Sequence, residues 1–222
     1  MINELIFVLQ TITMGAFAII SLRIGKDALT AFITLCCVLA NLFVVKQITL
    51  CGLTATASDA FSIGAVLSLN LLQEYYDRQS AQRAIFISFA LLIFYCIVSL
   101  LHVAFIPCAI DTMHPHFASI LTTMPRIIIA SLSVYITVQY IDAWLYGSLK
   151  KLTNGNYLVA RNVLSLVICQ LLDTVLFSFL GLYGILENIT EIIVVSYAIK
   201  LAAIALSTPF IVLSKKIVKK NS

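Results

Sequence analysis

Ionisable and amide side chains set inside long apolar runs are the residues of this chain best placed to do chemistry. Asp173 and Lys200 are the sharpest case. They stand at similar distances along the chain from the short loop between the last two apolar runs, so their depths match on neighbouring antiparallel helices. An ionised carboxylate only accepts hydrogen bonds and an ammonium only donates them. Such a pair can lock two helices together, or one oxygen of Asp173 can hold Lys200 while the other meets a polar solute. On the same run Asn162, Ser165, Cys169 and Asp173 recur at steps of three and four, which is one helical face, with Gln170 beside it. That face serves either interhelical hydrogen bonding or the wall of a solute cavity. Asn41 and Lys46 lie on a second run, Asp59 and Asn70 on a third with Glu74 near its inner border, and Arg126, Gln139 and Asp142 on a fifth. A charge at the bilayer centre costs about 2.5–3.5 kcal/mol on insertion scales, so these residues must pair, reach a border or line a polar cavity. Lys46 and Arg126 are near enough to the outer side to snorkel there. Asp142, close to Trp144 and Tyr146, reads as an inner border residue, and His114 and His116 read as a solvated outer loop rather than a metal site.

The elements that must carry these groups are membrane helices. The chain has 222 residues, 61% of them hydrophobic and only 11% charged, against about 45–50% and about 25% for an ordinary soluble domain. A span needs about 20 mostly apolar residues. Apolar runs bounded by turn and charge signals predict seven spans, near Leu5–Leu22, Leu29–Leu50, Ser58–Tyr75, Ala84–Ile106, Phe117–Tyr146, Leu158–Tyr183 and Ile189–Leu213. The basic residues test that count. Arg23, Lys26, Arg78, Arg83, Lys150, Lys151, Arg161, Lys215, Lys216, Lys219 and Lys220 all fall on one face of a seven-span arrangement. Lys and Arg mark the cytoplasmic side, which places the N-terminus outside and the C-terminus inside. The third span is short: its strictly apolar-to-neutral core, Ala60 to Leu72, rises only about 20 Å. It must draw Asp59 and Glu74 to the membrane borders, or be broken or re-entrant around Gly64. No cleavable signal is expected, because the first basic residue, Arg23, follows the first apolar run instead of preceding it.

Other chemistries find little support. The six cysteines contain no C-x-x-C, and Cys36, Cys37, Cys96 and Cys169 lie within apolar runs, where cysteine behaves as a small hydrophobe. A disulfide between Cys51 and Cys108 is conceivable, because both sit near span ends on the same side. Hydrolase signatures such as H-E-x-x-H and G-x-S-x-G are missing. Asp142 and Asp173 sit at different depths, which counts against a protease-like carboxylate dyad.

The strings ANLFVVKQITL (Ala40 to Leu50) and SDAFSIGAVLSLNLLQEYY (Ser58 to Tyr76) closely resemble the queuosine-precursor transporter family. So do PRIIIAS from Pro125 with Gln139 and Asp142, RNVLSLVICQLLDTVLFSFLGLYG (Arg161 to Gly184), and SYAIK from Ser196 with Thr208-Pro209. The first span resembles an extra N-terminal helix carried by some members, over residues 1–28, within a single membrane-embedded domain of residues 1–222. Asp77-Arg78 departs from the family's usual Gly-Lys, and Cys51 from a more usual Phe. The resemblance implies an all-α, multi-pass inner-membrane importer of queuine or another 7-deazaguanine, with no chemistry on its substrate.

The residue chemistry agrees with that implication. A guanine edge donates from N1 and its 2-amino group and accepts at O6, which suits a carboxylate together with Lys, Asn or Gln. The expected binding set is Asn41, Lys46, Asp59, Asn70, Glu74, Arg126, Gln139, Asn162, Ser165, Gln170, Asp173 and Lys200. Phe43, Phe61, Tyr135, Phe177 and Tyr197 are candidates for the ring slot. A ligand amine would call for a second acid, Asp59 or Glu74. The expected partners are that small molecule and the lipid bilayer, without nucleic acid, metal or cofactor, and with a homo-oligomer left open. Two alternatives remain: a substrate-binding membrane subunit of an energised complex, since the chain has no nucleotide-binding loop of its own, and an intramembrane acid–base enzyme.

Overall fold

The computed structural model describes the backbone of residues 2–152 and 158–219, and their side chains except at 143, 146, 147, 149–152, 158–163, 207–209, 213 and 215–219. Its helices are α1 (Ile2–Ile24), α2 (Lys26–Phe43), α3 (Asp59–Tyr75), α4 (Arg78–Val103), α5 (His114–Leu121), α6 (Met124–Leu152), α7 (Leu158–Phe177) and α8 (Ile189–Lys219). A π-helical turn, Ser178–Leu182, continues α7, and a hairpin of β1 (Gln47–Leu50) and β2 (Leu53–Thr56) joins α2 to α3. Six helical segments are long and apolar enough to cross a membrane: α1, α2, α4, the α5–α6 run, α7 with its π turn, and α8. Their outward faces carry large apolar side chains, among them Phe86, Phe94 and Leu101 on α4. A soluble protein seldom exposes so much, but lipid covers it at no cost.

Helix α3 has 17 residues and a length of about 25 Å. It runs unbroken through Gly64. Gly64 continues the helix and marks its tightest packing: a Cβ there would come within 3.1 Å of Met14 Cβ and 3.3 Å of Cys36 Sγ. Without a side chain at Gly64, α3 settles against α1 and α2, and α4 and α8 also pack on it. Nine of its residues are buried, including Asp59, Phe61, Leu67 and Leu71. A helix sheathed by its neighbours need not match the thickness of the hydrocarbon layer.

Two runs are divided differently from what the sequence predicts. The apolar run Leu29–Leu50 does not stay helical. Helix α2 stops at Phe43, and the chain turns into β1. Cys51 and Gly52 both take positive φ, 50° and 84°, as a tight two-residue hairpin turn requires, and Gln47 pairs with Thr56 at the open end. The span expected over Phe117–Tyr146 is divided between α5 and α6. Thr122 and Thr123 turn their hydroxyls back onto the carbonyls of Ala118 and Ile120, and Pro125 enters α6 at its second residue, where a missing N–H costs nothing. His114 and His116 therefore lie on the first turn of α5 rather than in a loop. Cys51 and Cys108 are both free and exposed.

Side-chain bonds fix the ends of the bundle. At the hairpin end, Asn3 donates to the Thr49 carbonyl at 3.0 Å and Gln47 to the Glu187 carbonyl at 2.9 Å, while the Thr54 N–H donates to Glu191 at 2.7 Å. The hairpin thus ties α1 to the loop between α7 and α8. At the opposite end Asp77 caps α4, accepting from the Ser80 N–H at 2.6 Å and the Ser80 hydroxyl at 2.9 Å. Those bonds, the backbone N–H first, hold its carboxyl below the usual carboxylate range.

Two apolar layers fill the interior. One joins Leu22, Leu29, Ile33, Leu71 and Leu72. The other joins Val44, Leu92, Met124, Ile127, Leu182 and Ile192. Along α2 the stretch between Ile33 and Val44 lies between these layers, and there the bundle opens.

Candidate functional site

A cavity of about 480 Å³ occupies that gap. Helix α2 supplies Cys36, Cys37, Ala40 and Asn41, and α3 supplies Asp59, Ser62, Ile63, Val66 and Asn70. The α3 residues recur at steps of three and four, so one face of the most enclosed helix looks into the space. Across from it stand Ser131, Tyr135 and Gln139 of α6, Gln170 and Asp173 of α7, and Lys200 of α8. Phe89 of α4 meets Tyr135 edge to face at 4.8 Å and 82°, an arrangement that suits the quadrupoles of two rings and forms an aromatic wall. Two smaller chambers adjoin. One, about 140 Å³, is lined by Ser58, Ser131, Val134 and Phe177 and shares Asn41, Ser62, Asp173 and Lys200 with the main space. The other, about 60 Å³, lies around Thr56, Ser58, Thr174, Ser178 and Ser196 and shares Asp59, Ser62 and Lys200.

Lys200 Nζ donates to Asp173 Oδ2 at 2.5 Å, with both side chains partly open, at 21% and 31% exposure. The equal depths read from the sequence are realised as a direct ion pair between α7 and α8. Its partial exposure matters, because a pair fully closed to solute could only be structural. Asp59 is more deeply set, at 4% exposure, and accepts at Oδ2 from Ser196 at 3.0 Å and Thr56 at 3.3 Å. Asn41 donates to the Cys37 carbonyl at 2.8 Å, which leaves its amide oxygen as the acceptor it can offer.

Of the expected binding residues, the cavity brings together Asn41, Asp59, Asn70, Gln139, Gln170, Asp173 and Lys200. The structure places others elsewhere. Lys46 follows the end of α2 and lines a separate groove of about 240 Å³ with Asn3, Gln10, Phe43 and Phe61; those two rings stack on each other at 5.6 Å. Arg126 donates to the carbonyls of Leu180 at 2.9 Å and Tyr183 at 2.6 Å. It closes the end of the π turn, whose last carbonyls would otherwise lack partners. Ser165 donates to Asp142 Oδ1 at 2.5 Å and Cys169 Sγ to the same oxygen at 3.4 Å, so Asp142 is held against α7 rather than left at a border. Glu74 is exposed near the end of α3, Tyr197 donates to the Val167 carbonyl at 3.2 Å, and the Asn162 side chain lies outside the described residues.

Ser62, Ser131 and Ser196 escaped the sequence reading. The signal for Ser62 was present: Asp59, Ser62, Val66 and Asn70 form one small-and-polar stripe on α3. Ser131 and Ser196 stand alone among apolar neighbours and carry no such mark.

A bundle of long helices with apolar outward faces defines a multi-pass membrane protein. The chain belongs to the family described as "Putative vitamin uptake transporter", which matches residues 56–214. It is a membrane transporter and not an enzyme. The matched region begins at the end of the hairpin, leaving α1 and α2 outside it, yet α2 contributes Asn41 and the two cysteines to the cavity. The chain is also 30% identical over 201 residues, 89% of its length, to a "Probable queuosine precursor transporter" of Bacillus subtilis (strain 168), covering 87% of that protein. No solved structure matches it.

Proposed function

We propose that the chain imports a queuosine precursor, a 7-deazaguanine, bound in the central cavity. The observation that carries this reading is the partly open Asp173–Lys200 pair, which lines the same cavity as the amides of Asn41, Asn70, Gln139 and Gln170. The second oxygen of Asp173 accepts from N1–H and the 2-amino group of a guanine-like edge, and Lys200 or an amide nitrogen donates to O6. Phe89 and Tyr135 flank the bicyclic ring. The volume lies within the range of about 300–1,000 Å³ usual for small-molecule sites. In cells unable to make 7-deazaguanines, expression of the chain should restore accumulation of labelled precursor, and excess unlabelled queuine should suppress it. Suppression by guanine or adenine alone would contradict the reading.

The one-sided basic residues support an inner-membrane topology of seven spans, α3 included, with the N-terminus outside. Single cysteines placed near His114 and near Asn188 in a cysteine-free variant should react with an impermeant reagent in intact cells, and cysteines near Thr153 and Ser222 should not. Reaction near Thr153 would overturn that orientation.

A further inference from the structure

Asp59 gives the cavity a charge that its other residues leave unbalanced. Lys200 lies 2.5 Å from Asp173, so that cation and that anion already neutralise each other. Asp59 is a second carboxylate on the same cavity, and among the described residues no Lys, Arg or His nitrogen stands within ion-pair distance of it. Its hydrogen-bond donors are hydroxyls. Thr56 and Ser196 both donate to Oδ2, Thr56 and Ser58 share a bond at 2.8 Å, and Thr174 and Ser178 line the same small chamber. Lys200 borders that chamber too, but its ammonium is held on Asp173. A buried carboxylate with no cation bonded to it is costly to ionise, and a cation brought to it recovers much of that cost.

The shape fits the charge. The chamber of about 60 Å³ opens onto the main cavity through Asp59, Ser62 and Lys200, which is room for an ammonium and a carbon or two but not for a ring. Hydroxyl oxygens and a free carboxylate oxygen are acceptors, the complement of an ammonium's three donors. We infer that the hydroxyl-lined chamber at Asp59 is a subsite for a protonated amine, so that the transporter selects 7-deazaguanines bearing a positively charged substituent at position 7. The inference rests on the proposed function and adds to it which members of the class are taken. It also decides between the two acids that the sequence left open, because Asp59 lines the cavity and Glu74 does not.

The test is competition against uptake of a labelled 7-deazaguanine, using three competitors that differ only at position 7: aminomethyl, its neutral hydroxymethyl counterpart, and cyano. In the wild-type protein the aminomethyl form should compete about tenfold better, or more, than either neutral form, as one charge-assisted contact implies. Asp59→Asn should erase that advantage, so that the aminomethyl and hydroxymethyl forms compete equally in the variant. If Asp59→Asn fails to fold, the wild-type ranking of aminomethyl against hydroxymethyl decides alone. Equal competition by all three in the wild type overturns the amine subsite and leaves the 7-deazaguanine reading intact. Absence of uptake or competition by any of them removes both.

Discussion

Asp173→Asn should lower uptake of every 7-deazaguanine by about tenfold to about a hundredfold. The substitution keeps shape but turns one acceptor into a donor that faces the ligand's own donors. A lost hydrogen bond to a charged group is worth about 1.5–3 kcal/mol. Lys200→Met should be worse for the protein itself. It leaves Asp173 half-buried without its partner; breaking a fully buried pair costs about 3–5 kcal/mol, and the partial exposure of this one makes the loss smaller. The double variant separates the two roles of the pair. It holds a neutral amide and a thioether where the ion pair stood, and no unpaired ion is left, so expression and thermal stability should recover. Uptake should not, since no carboxylate remains at position 173 to accept from the donors of the guanine edge. Full recovery of uptake in the double variant would reduce Asp173 and Lys200 to a helix clamp and remove them from the site.

Ser62→Phe should bring uptake down to the level of a membrane without the protein. Ser62 borders the main cavity and both side chambers, so a ring there occupies the junction that a ligand would have to use. The space is already open, so the ring meets little of the overpacking that costs about 1–3 kcal/mol in a filled core. Thermal stability should change little. Ser62→Ala, which keeps the junction open, should retain most of the uptake. Wild-type uptake by a well-folded Ser62→Phe protein would place the path outside this cavity.

The sequence showed those features whose cause lies along one helix. The short third helix was legible from Ser58 to Tyr75, because apolar periodicity and flanking acids are local. The Asp173–Lys200 pair followed from equal depth on adjacent antiparallel helices. The stripe Asn162, Ser165, Cys169 and Asp173 is a single face, but that face has two partners. Ser165 and Cys169 meet Asp142 of α6, while Asp173, with Gln170, reaches the cavity. Which neighbour a face meets depends on helix packing, and periodicity carries no record of it. Arg126 shows the same limit: its partners are the carbonyls of Leu180 and Tyr183, groups every residue has. The hairpin was hidden for another reason. Val44 to Leu50 is apolar enough to extend a span, while the features that end α2, the alternation Gln47-Ile48-Thr49-Leu50 and the Cys51-Gly52 turn, are short. Hydropathy averaged over a span length erases them.

This chain alone is expected to move a 7-deazaguanine across a bilayer through the cavity built on Asp173 and Lys200. The most direct measurement uses the purified protein in liposomes, with labelled queuine, aminomethyl and cyano precursors outside and no other protein present. Saturable entry of at least one precursor, blocked by excess unlabelled ligand and lost in Asp173→Asn, is the predicted result. Entry no faster than into protein-free liposomes, for a preparation shown to be folded, would contradict it.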